Sequence, residues 1–172
     1  MDIWRVDGSY WRVFKEHYYL DLPMPPAAHY FIGAVGGVPV CHLAVMPMFT
    51  AHAYRASRLV TMPEWQGAGV GTKFLNFVME FHKEGKGRRG HKLPTLFHTS
   101  HPQLISYLNR NPNWILKSQM LYGGNKKKSG SSIAKAQTKK GAKSIGSGGA
   151  KSGGYGGHFR AVQGFKYLGN KK

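Results

Sequence analysis

The stretch VTMPEWQGAGVGT (residues 60–72) joins two segments of different periodicity. The segment before it, Tyr54 to Met62, becomes apolar and β-branched toward its end, which is typical of a strand. The segment after it, Lys73 to Lys83, repeats its large apolar residues at the spacing of an amphipathic helix. The sequence therefore predicts a strand, a glycine-rich turn and a helix in direct succession.

Three glycines occupy alternate positions of the turn: Gly67, Gly69 and Gly71. Glycine lets backbone N–H groups converge on an anion, and the N-terminus of the following helix adds positive potential. The stretch lacks the Gly-Lys-Ser/Thr ending of a nucleotide-binding P-loop and the GxGxxG spacing of a dinucleotide-binding loop. Plain turn chemistry is the alternative to a phosphate cradle.

The pattern Gln66-x-x-Gly69-x-Gly71, after a hydrophobic strand and a proline, resembles the pyrophosphate-binding loop of the GNAT superfamily of N-acetyltransferases. The resemblance implies acetyl-CoA or a related acyl donor, held by backbone amides. The residues expected to bind this donor are Thr61, Gln66, Gly67, Ala68, Gly69, Val70, Gly71 and Thr72.

The chain has 172 residues, of which 41% are hydrophobic, and this predicts a single domain over residues 1–172. Its one cysteine, Cys41, excludes an internal disulfide and is interpreted as a buried strand residue. No window approaches the ~18–20 apolar residues of a membrane span. We expect a cytoplasmic protein without a membrane partner.

The formal net charge is +18, and it is unevenly distributed. All seven acidic residues lie at or before Glu84, whereas residues 85–172 contain eighteen Lys and Arg. The positive electrostatic field of this charge attracts polyanions, so DNA or RNA is the expected partner. A solubilising segment without a ligand is the alternative.

Periodicity and turn residues predict the remaining elements. A helix is predicted over Ser9–Leu20, with Ser9 as its N-cap, and Gly36-Gly37 is predicted to turn a hairpin. Ser100 is predicted to cap the N-terminus of a second helix. The other predicted elements are strands Ala28–Val35, Val38–Met46, His52–Met62, Leu93–Thr99 and Trp114–Met120, and a helix Ser100–Arg110.

Residues 123–157 are rich in Gly, Lys and Ser, and this predicts a flexible basic insertion with too little apolar surface to fold alone. Aromatic residues return at residues 158–169, where His158–Leu168 is predicted to form the final strand. The insertion is expected to bind nucleic-acid phosphates through lysines that include Lys126, Lys127, Lys128, Lys139 and Lys140.

This element order resembles the GNAT fold along nearly the whole chain. The fold expected is α+β: a mixed, mostly antiparallel sheet with a splayed parallel pair, flanked by helices. In that fold the acyl donor enters the gap between the splayed strands.

Acyl transfer to an amine needs an acid for the leaving thiolate and a base for the amine proton. The GNAT pattern of Asn, six residues and Tyr places the acid at Tyr107, although Ser100 stands at the Asn position. A tyrosine that is simply part of the core is the alternative. The predicted strand before the loop has no carboxylate, and Glu64 lies at its exit. The histidines that remain as bases are His42, His52, His98 and His101, and the sequence does not choose among them.

Five segments resemble a divergent GNAT subgroup that includes the phage Mom DNA-modification proteins. They are FKEHYYL (14–20), YRASRLVT (54–61), PEWQGAGVG (63–71), TSHP (99–102) and GFKYLG (164–169). The resemblance implies modification of adenine in DNA, with a carbamoylmethyl-type group placed on the exocyclic amine, in a bacterial cell or phage-infected host. The residues that it implies for the site are His17, Tyr18, Arg55, Arg58, Ser100 and His101.

No metal motif such as HExxH or CxxC is present, although His17 and Tyr18 leave a metal possible. A homodimer is also possible. Two other functions remain open. One is acetyl-CoA-dependent acetylation of a small amine, a protein or an aminoacyl-tRNA, and the other is a non-catalytic nucleic-acid-binding module.

Overall fold

A seven-stranded mixed sheet forms the centre of the computed structural model, which describes residues 1–19, 24–25, 27–48, 51–120 and 161–170. The strands follow the order β1-β2-β3-β4-β5-β7-β6. Their bounds are β1 Asp2–Val6, β2 His29–Val35, β3 Val38–Met48, β4 Ala53–Thr61, β5 Thr95–Thr99, β6 Trp114–Met120 and β7 Val162–Tyr167. The helices are α1 Trp11–Phe14, α2 Val70–Lys83 and α3 Pro102–Arg110.

The first four strands are antiparallel neighbours, and the predicted glycine turn joins β2 to β3. Gly36 and Gly37 both have positive φ, at 57° and 81°. A two-residue hairpin turn of type I′ requires positive φ at both central positions. The prediction of a Gly36-Gly37 hairpin is confirmed.

One parallel pair interrupts the antiparallel pattern, and it is short. Only three residues of β4 pair with β5: Tyr54 with Thr95, Arg55 with Leu96, and Ala56 with Phe97. The two strands continue to Thr61 and Thr99 without further pairing to each other. The predicted splayed parallel pair is therefore present, and the mixed α+β fold is confirmed.

A bulge in β4 begins where the parallel pairing ends. The register of β3 against β4 shifts between His42 and Ala44, and Arg58 has a positive φ of 58°. A bulge bends its strand and increases the local twist. We attribute the divergence of β4 from β5 to this bulge.

Helix α2 covers one face of the sheet and supplies the main core. Its buried residues Phe74, Leu75, Val78 and Met79 belong to a cluster with residues from strands β2 to β7. A smaller cluster contains Trp11, Phe14, Ile32 and Val60. Cys41, as predicted, is a buried strand residue.

The N-terminal region departs from the prediction in two ways. Strand β1, which was not predicted, pairs with β2 from Asp2 to Val6. The predicted helix Ser9–Leu20 is instead a four-residue α1 between two 3₁₀ turns, and the chain is extended at Tyr18. Aromatic residues are mediocre helix formers, and here two of them, Trp11 and Phe14, are buried in the smaller cluster.

Several boundaries also differ. Helix α2 begins three residues earlier than predicted, and α3 begins at Pro102 with His101 rather than Ser100 at its N-cap. Asp7, not Ser9, caps the first 3₁₀ turn. The insertion, its five named lysines and the start of the predicted strand His158–Leu168 lie outside the described residues. None of the described helices has the length and apolar character needed to cross a membrane.

Candidate functional site

A cleft of about 620 Å³ lies between the diverging ends of β4 and β5. The glycine-rich loop closes one end of it, and residues of α3 line another side. The segment from Tyr18 to Tyr19 contributes aromatic residues. The lining includes the following residues predicted to bind the donor or the substrate: Thr61, Gln66, Gly67, Gly69, Gly71, Thr72, His17, Tyr18, Arg58, His101 and Tyr107.

The glycine-rich loop exposes its backbone to the cleft. Gly67 and Gly69 have positive φ, at 80° and 74°, which side chains rarely adopt. A Cβ at Gly67 would meet no atom within 4 Å, and one at Gly69 would only touch the Thr72 hydroxyl at 3.9 Å. The surface beside the loop is therefore open to a ligand that approaches the backbone.

Gly71 is required for a different reason, which is its close contact with β4. A Cβ at this position would overlap the hydroxyl of Thr61. The same strand end anchors the loop, because Gln66 Nε2 donates to the Thr61 carbonyl at 2.9 Å. Thr61 and Gln66 thus hold the loop in place.

The start of α2 leaves backbone donors without helical partners. The first i→i−4 bond runs from Lys73 N to the Gly69 carbonyl at 3.1 Å. The N–H groups of Val70, Gly71 and Thr72 precede this bond and have no acceptor within the helix. Together with the helix dipole, these groups suit a bound anion such as a pyrophosphate. The observed geometry fits the predicted loop for the pyrophosphate of the acyl donor.

Tyr107 of α3 lines the cleft from the opposite side. Its phenol oxygen accepts hydrogen bonds from Asn76 Nδ2 at 3.0 Å and from Asn111 Nδ2 at 2.7 Å. Sequence reasoning missed both asparagines. The available signal was a single amide, Asn76, within the apolar pattern of the predicted helix Lys73–Lys83.

His17, Tyr18 and Arg58, which the subgroup resemblance implies for a site, all line the cleft. The Arg58 guanidinium lies 5.5 Å from the centre of the Tyr18 ring. Burial, and then the neighbouring Tyr19, raise the pKa of Tyr18 to about 12, so its phenol is neutral at physiological pH. The ring is also in edge contact with Trp11.

The histidines considered as bases are separated by the fold. His98 and His101 line the cleft, whereas His42 is fully buried behind it against Trp11 and Phe14. His52 lines a second cavity together with Arg88 and other residues. His98 is exposed by surface area, but desolvation by the surrounding atoms, and then the charge of Arg55, lower its pKa, which keeps the imidazole neutral at pH 7.

Of the predicted donor-binding and substrate-binding residues that the structure describes, four are not part of the cleft lining: Ala68, Val70, Arg55 and Ser100. Arg55 is partly buried and donates to the Met46 sulfur at 3.4 Å. Glu64 is exposed at the exit of β4, and no Asp or Glu belongs to the cleft lining formed by the described residues. In the same part of the chain, no three His, Cys, Asp or Glu side chains are grouped closely enough to hold a metal ion.

Three solved structures with a similar fold are acetyltransferases. A variant of the spermidine N-acetyltransferase SpeG from Vibrio cholerae has a TM-score of 0.58 and 10% identity, covering 98% of this chain and 95% of its own. The ribosomal-protein-S18-alanine N-acetyltransferase from Escherichia coli has a TM-score of 0.58 and 9% identity. The match covers 99% of this chain and 96% of the E. coli enzyme. The IAA acetyltransferase from Bacillus cereus has a TM-score of 0.54 and 11% identity, with 96% and 97% covered.

The chain has the GNAT fold. No protein-family model matches the sequence, and no curated protein matches it. At these identities the likeness concerns the fold, and the function has to be argued from the cleft.

Proposed function

We propose that this protein is an acyl-CoA-dependent N-acyltransferase, with acetyl-CoA as the first donor to test. The observation that carries the proposal is the position of the glycine-rich loop at the end of a cleft opened by the divergence of β4 from β5. The loop offers N–H groups on a surface without side chains, as a pyrophosphate requires. Tyr107 lies in the same cleft, where an acid is needed.

In the proposed reaction an amine nitrogen attacks the thioester carbonyl, a C–N bond forms and the C–S bond breaks. Tyr107 donates its phenol proton to the leaving sulfur. A cleft histidine takes the amine proton, and His98 suits this role because its imidazole is neutral at pH 7.

The test of donor binding compares two glycines of similar conformation. Gly69→Ala and Gly36→Ala each place a Cβ at a positive φ, which costs roughly 1–2 kcal/mol, and neither Cβ meets an atom closer than 3.9 Å. We expect similar losses of thermal stability, but only Gly69→Ala should weaken CoA binding measured by calorimetry, by about tenfold or more. Equal CoA affinities in the parent and both variants, or no binding by the parent, would contradict the proposal.

A second proposal concerns the acceptor, which we infer to be an amine on a nucleic acid, in the first instance the exocyclic amine of adenine in DNA. The cleft lining contains Tyr18, Arg58 and three histidines, without a carboxylate among the described residues. A polycationic amine needs carboxylates to pair with its charges, whereas aromatic rings and cations suit a base and its phosphate. The net charge of +18 favours the same class of partner.

An acceptor panel separates this proposal from acetylation of small amines and proteins. Purified protein is incubated with acetyl-CoA and with duplex DNA, single-stranded DNA, RNA, spermidine or a mixture of peptides. Thiol release is followed, and the nucleosides are analysed by mass. In parallel, nucleosides from cells that express the protein are analysed by mass, because a modification found only there would indicate a donor other than acetyl-CoA. If spermidine or peptides are acylated while the nucleosides remain unmodified, the nucleic-acid proposal is contradicted and the transferase proposal is left intact.

A further inference from the structure

The phenol oxygen of Tyr107 is held by two side-chain amides that belong to different parts of the fold. Asn76 is on α2, and Asn111 directly follows α3. Both donate through Nδ2, at 3.0 Å and 2.7 Å. A hydroxyl has two acceptor lone pairs, so these two bonds fill its capacity to accept.

The orientation of each amide is fixed by a partner that can only donate. The Trp114 indole N–H donates to Asn76 Oδ1 at 2.8 Å, and the backbone N–H of Asn113 donates to Asn111 Oδ1 at 2.9 Å. Rotating either amide by 180° would set two donors against each other. The NH₂ groups of Asn76 and Asn111 must therefore be the groups that contact the phenol.

We propose that Asn76 and Asn111 are positioning residues that make Tyr107 a proton donor toward the cleft; this rests on the proposed acyl transfer. An amide NH₂ cannot accept a hydrogen bond, so the phenol proton cannot be shared with either asparagine. Among the described residues, no hydrogen bond takes this proton, and Tyr107 is one of the residues that line the cleft.

The same two amides stabilise the group after proton transfer. When the proton moves from the phenol oxygen to the departing thiolate sulfur, a negative charge is left on the oxygen. Two N–H donors that already point at this atom favour the charged form without reorganisation. Water then returns a proton to the phenolate and completes the cycle. Asn76 and Asn111 thus lower the cost of the transfer without contacting the donor or the acceptor.

A purely structural role is the competing interpretation, since the bonds also join α2 to α3 and to the turn before β6. The variants Asn76→Asp and Asn111→Asp distinguish the two roles. In each, one carboxylate oxygen still accepts the bond from Trp114 or Asn113, whereas the other replaces the NH₂ group. This oxygen accepts a hydrogen bond from the phenol O–H and so turns the O–H away from the cleft. Asn109→Asp, at an exposed position of α3, is the matched control.

Carbon-13 NMR of ring-labelled tyrosine, with Tyr107→Phe to assign the signal, reports the pKa of Tyr107 whether or not the protein is active. We expect the pKa to rise by about one unit or more in Asn76→Asp and Asn111→Asp and to stay constant in Asn109→Asp. The kcat should fall by about tenfold or more in the first two variants, while the KM for the donor stays within about twofold.

Each outcome is decisive. An unchanged Tyr107 pKa in a folded Asn76→Asp or Asn111→Asp variant overturns the proposal, as does a normal kcat with a raised pKa. If Asn76→Asp does not fold, Asn111→Asp, at the end of α3, provides the same readout. A parent protein without acyltransferase activity contradicts the proposed function, while a raised Tyr107 pKa in that case still shows that the amides control the phenol.

Discussion

The hydroxyl of Thr61, at the end of β4, occupies the space that a Cβ on Gly71, in the first turn of α2, would need. This contact sets how closely the start of α2 approaches the strand. The N–H groups at the start of α2 are the proposed donors to the pyrophosphate. The affinity for the acyl donor should therefore depend on the fit between these two residues.

Gly71→Ala is expected to reduce both the thermal stability and the affinity for CoA, because the new methyl group displaces the helix start from Thr61. Adding Thr61→Ala should restore much of both, since the nearest remaining Thr61 atom lies 3.5 Å from the added Cβ, an ordinary contact. Adding Thr61→Val should not, because a methyl replaces the hydroxyl. Melting curves and calorimetry check this coupling, and a double variant with Thr61→Ala no better than Gly71→Ala would contradict it.

A pH–rate profile is expected to identify the base. His98 is the proposed base, and its pKa is lowered from 6.5, so kcat/KM should fall only as the pH drops below 6.5. His98→Gln should lower kcat/KM and remove this acidic limb. His17→Gln and His101→Gln are the controls within the same cleft. An acidic limb that persists in His98→Gln and disappears in one of the controls would assign the base to that histidine.

The buried His42 should make the protein sensitive to acid. Burial lowers its pKa to about 4, against the usual 6.5, so the unfolded chain binds this proton more readily than the folded one. The contribution of His42 to the free energy of unfolding is fully present above pH 6.5 and is lost as the pH falls toward 4. The loss amounts to at most about 3 kcal/mol. Urea unfolding of the parent and of His42→Phe at pH 7 and pH 4.5 measures it. Equal pH-dependent losses in the two proteins would exclude His42 as a cause.

The lysines of the insertion are expected to make DNA binding strongly dependent on salt. If about five of them contact phosphates, the log–log slope on duplex DNA should be near −4 to −5. Glutamine at Lys126, Lys127, Lys128, Lys139 and Lys140 should flatten this slope by about 0.9 for each phosphate that the protein no longer neutralises. Binding of labelled duplex across a salt series checks the result.

The control replaces three exposed cations of the described residues by glutamine: Arg12, Lys92 and Lys117. A similar flattening of the slope per charge in this control would mean that DNA is bound over the whole surface rather than by the insertion. A slope near zero in the parent would mean that the charge does not serve nucleic-acid binding.

The sequence by itself determined the features that depend on residues close together in the chain. The glycines of residues 66–71, a strand before them and a helix after them predicted the glycine-rich loop and the parallel pair. Gly36-Gly37 predicted the hairpin in the same way, because a tight turn is decided by the φ values that its own two residues allow.

Tertiary structure decided the features that depend on contacts between distant segments. Strand β1 exists because it pairs with β2, and its five residues, mostly exposed, carry no apolar pattern that would reveal it. The predicted helix at Ser9–Leu20 is broken because burial of Trp11 and Phe14 outweighs local periodicity.

The cleft shows the same division. Arg55 and Arg58 look equivalent in the sequence, yet only Arg58, at the bulge, lines the cleft. Tyr107 was predicted from a pattern, but its hydrogen-bond partner Asn76 lies 31 residues away in the sequence. The indole that orients the Asn76 amide belongs to Trp114 of β6. A residue type and its spacing indicate which group can transfer a proton. The direction in which that proton points depends on hydrogen bonds that form only when α2, α3 and β6 are packed together.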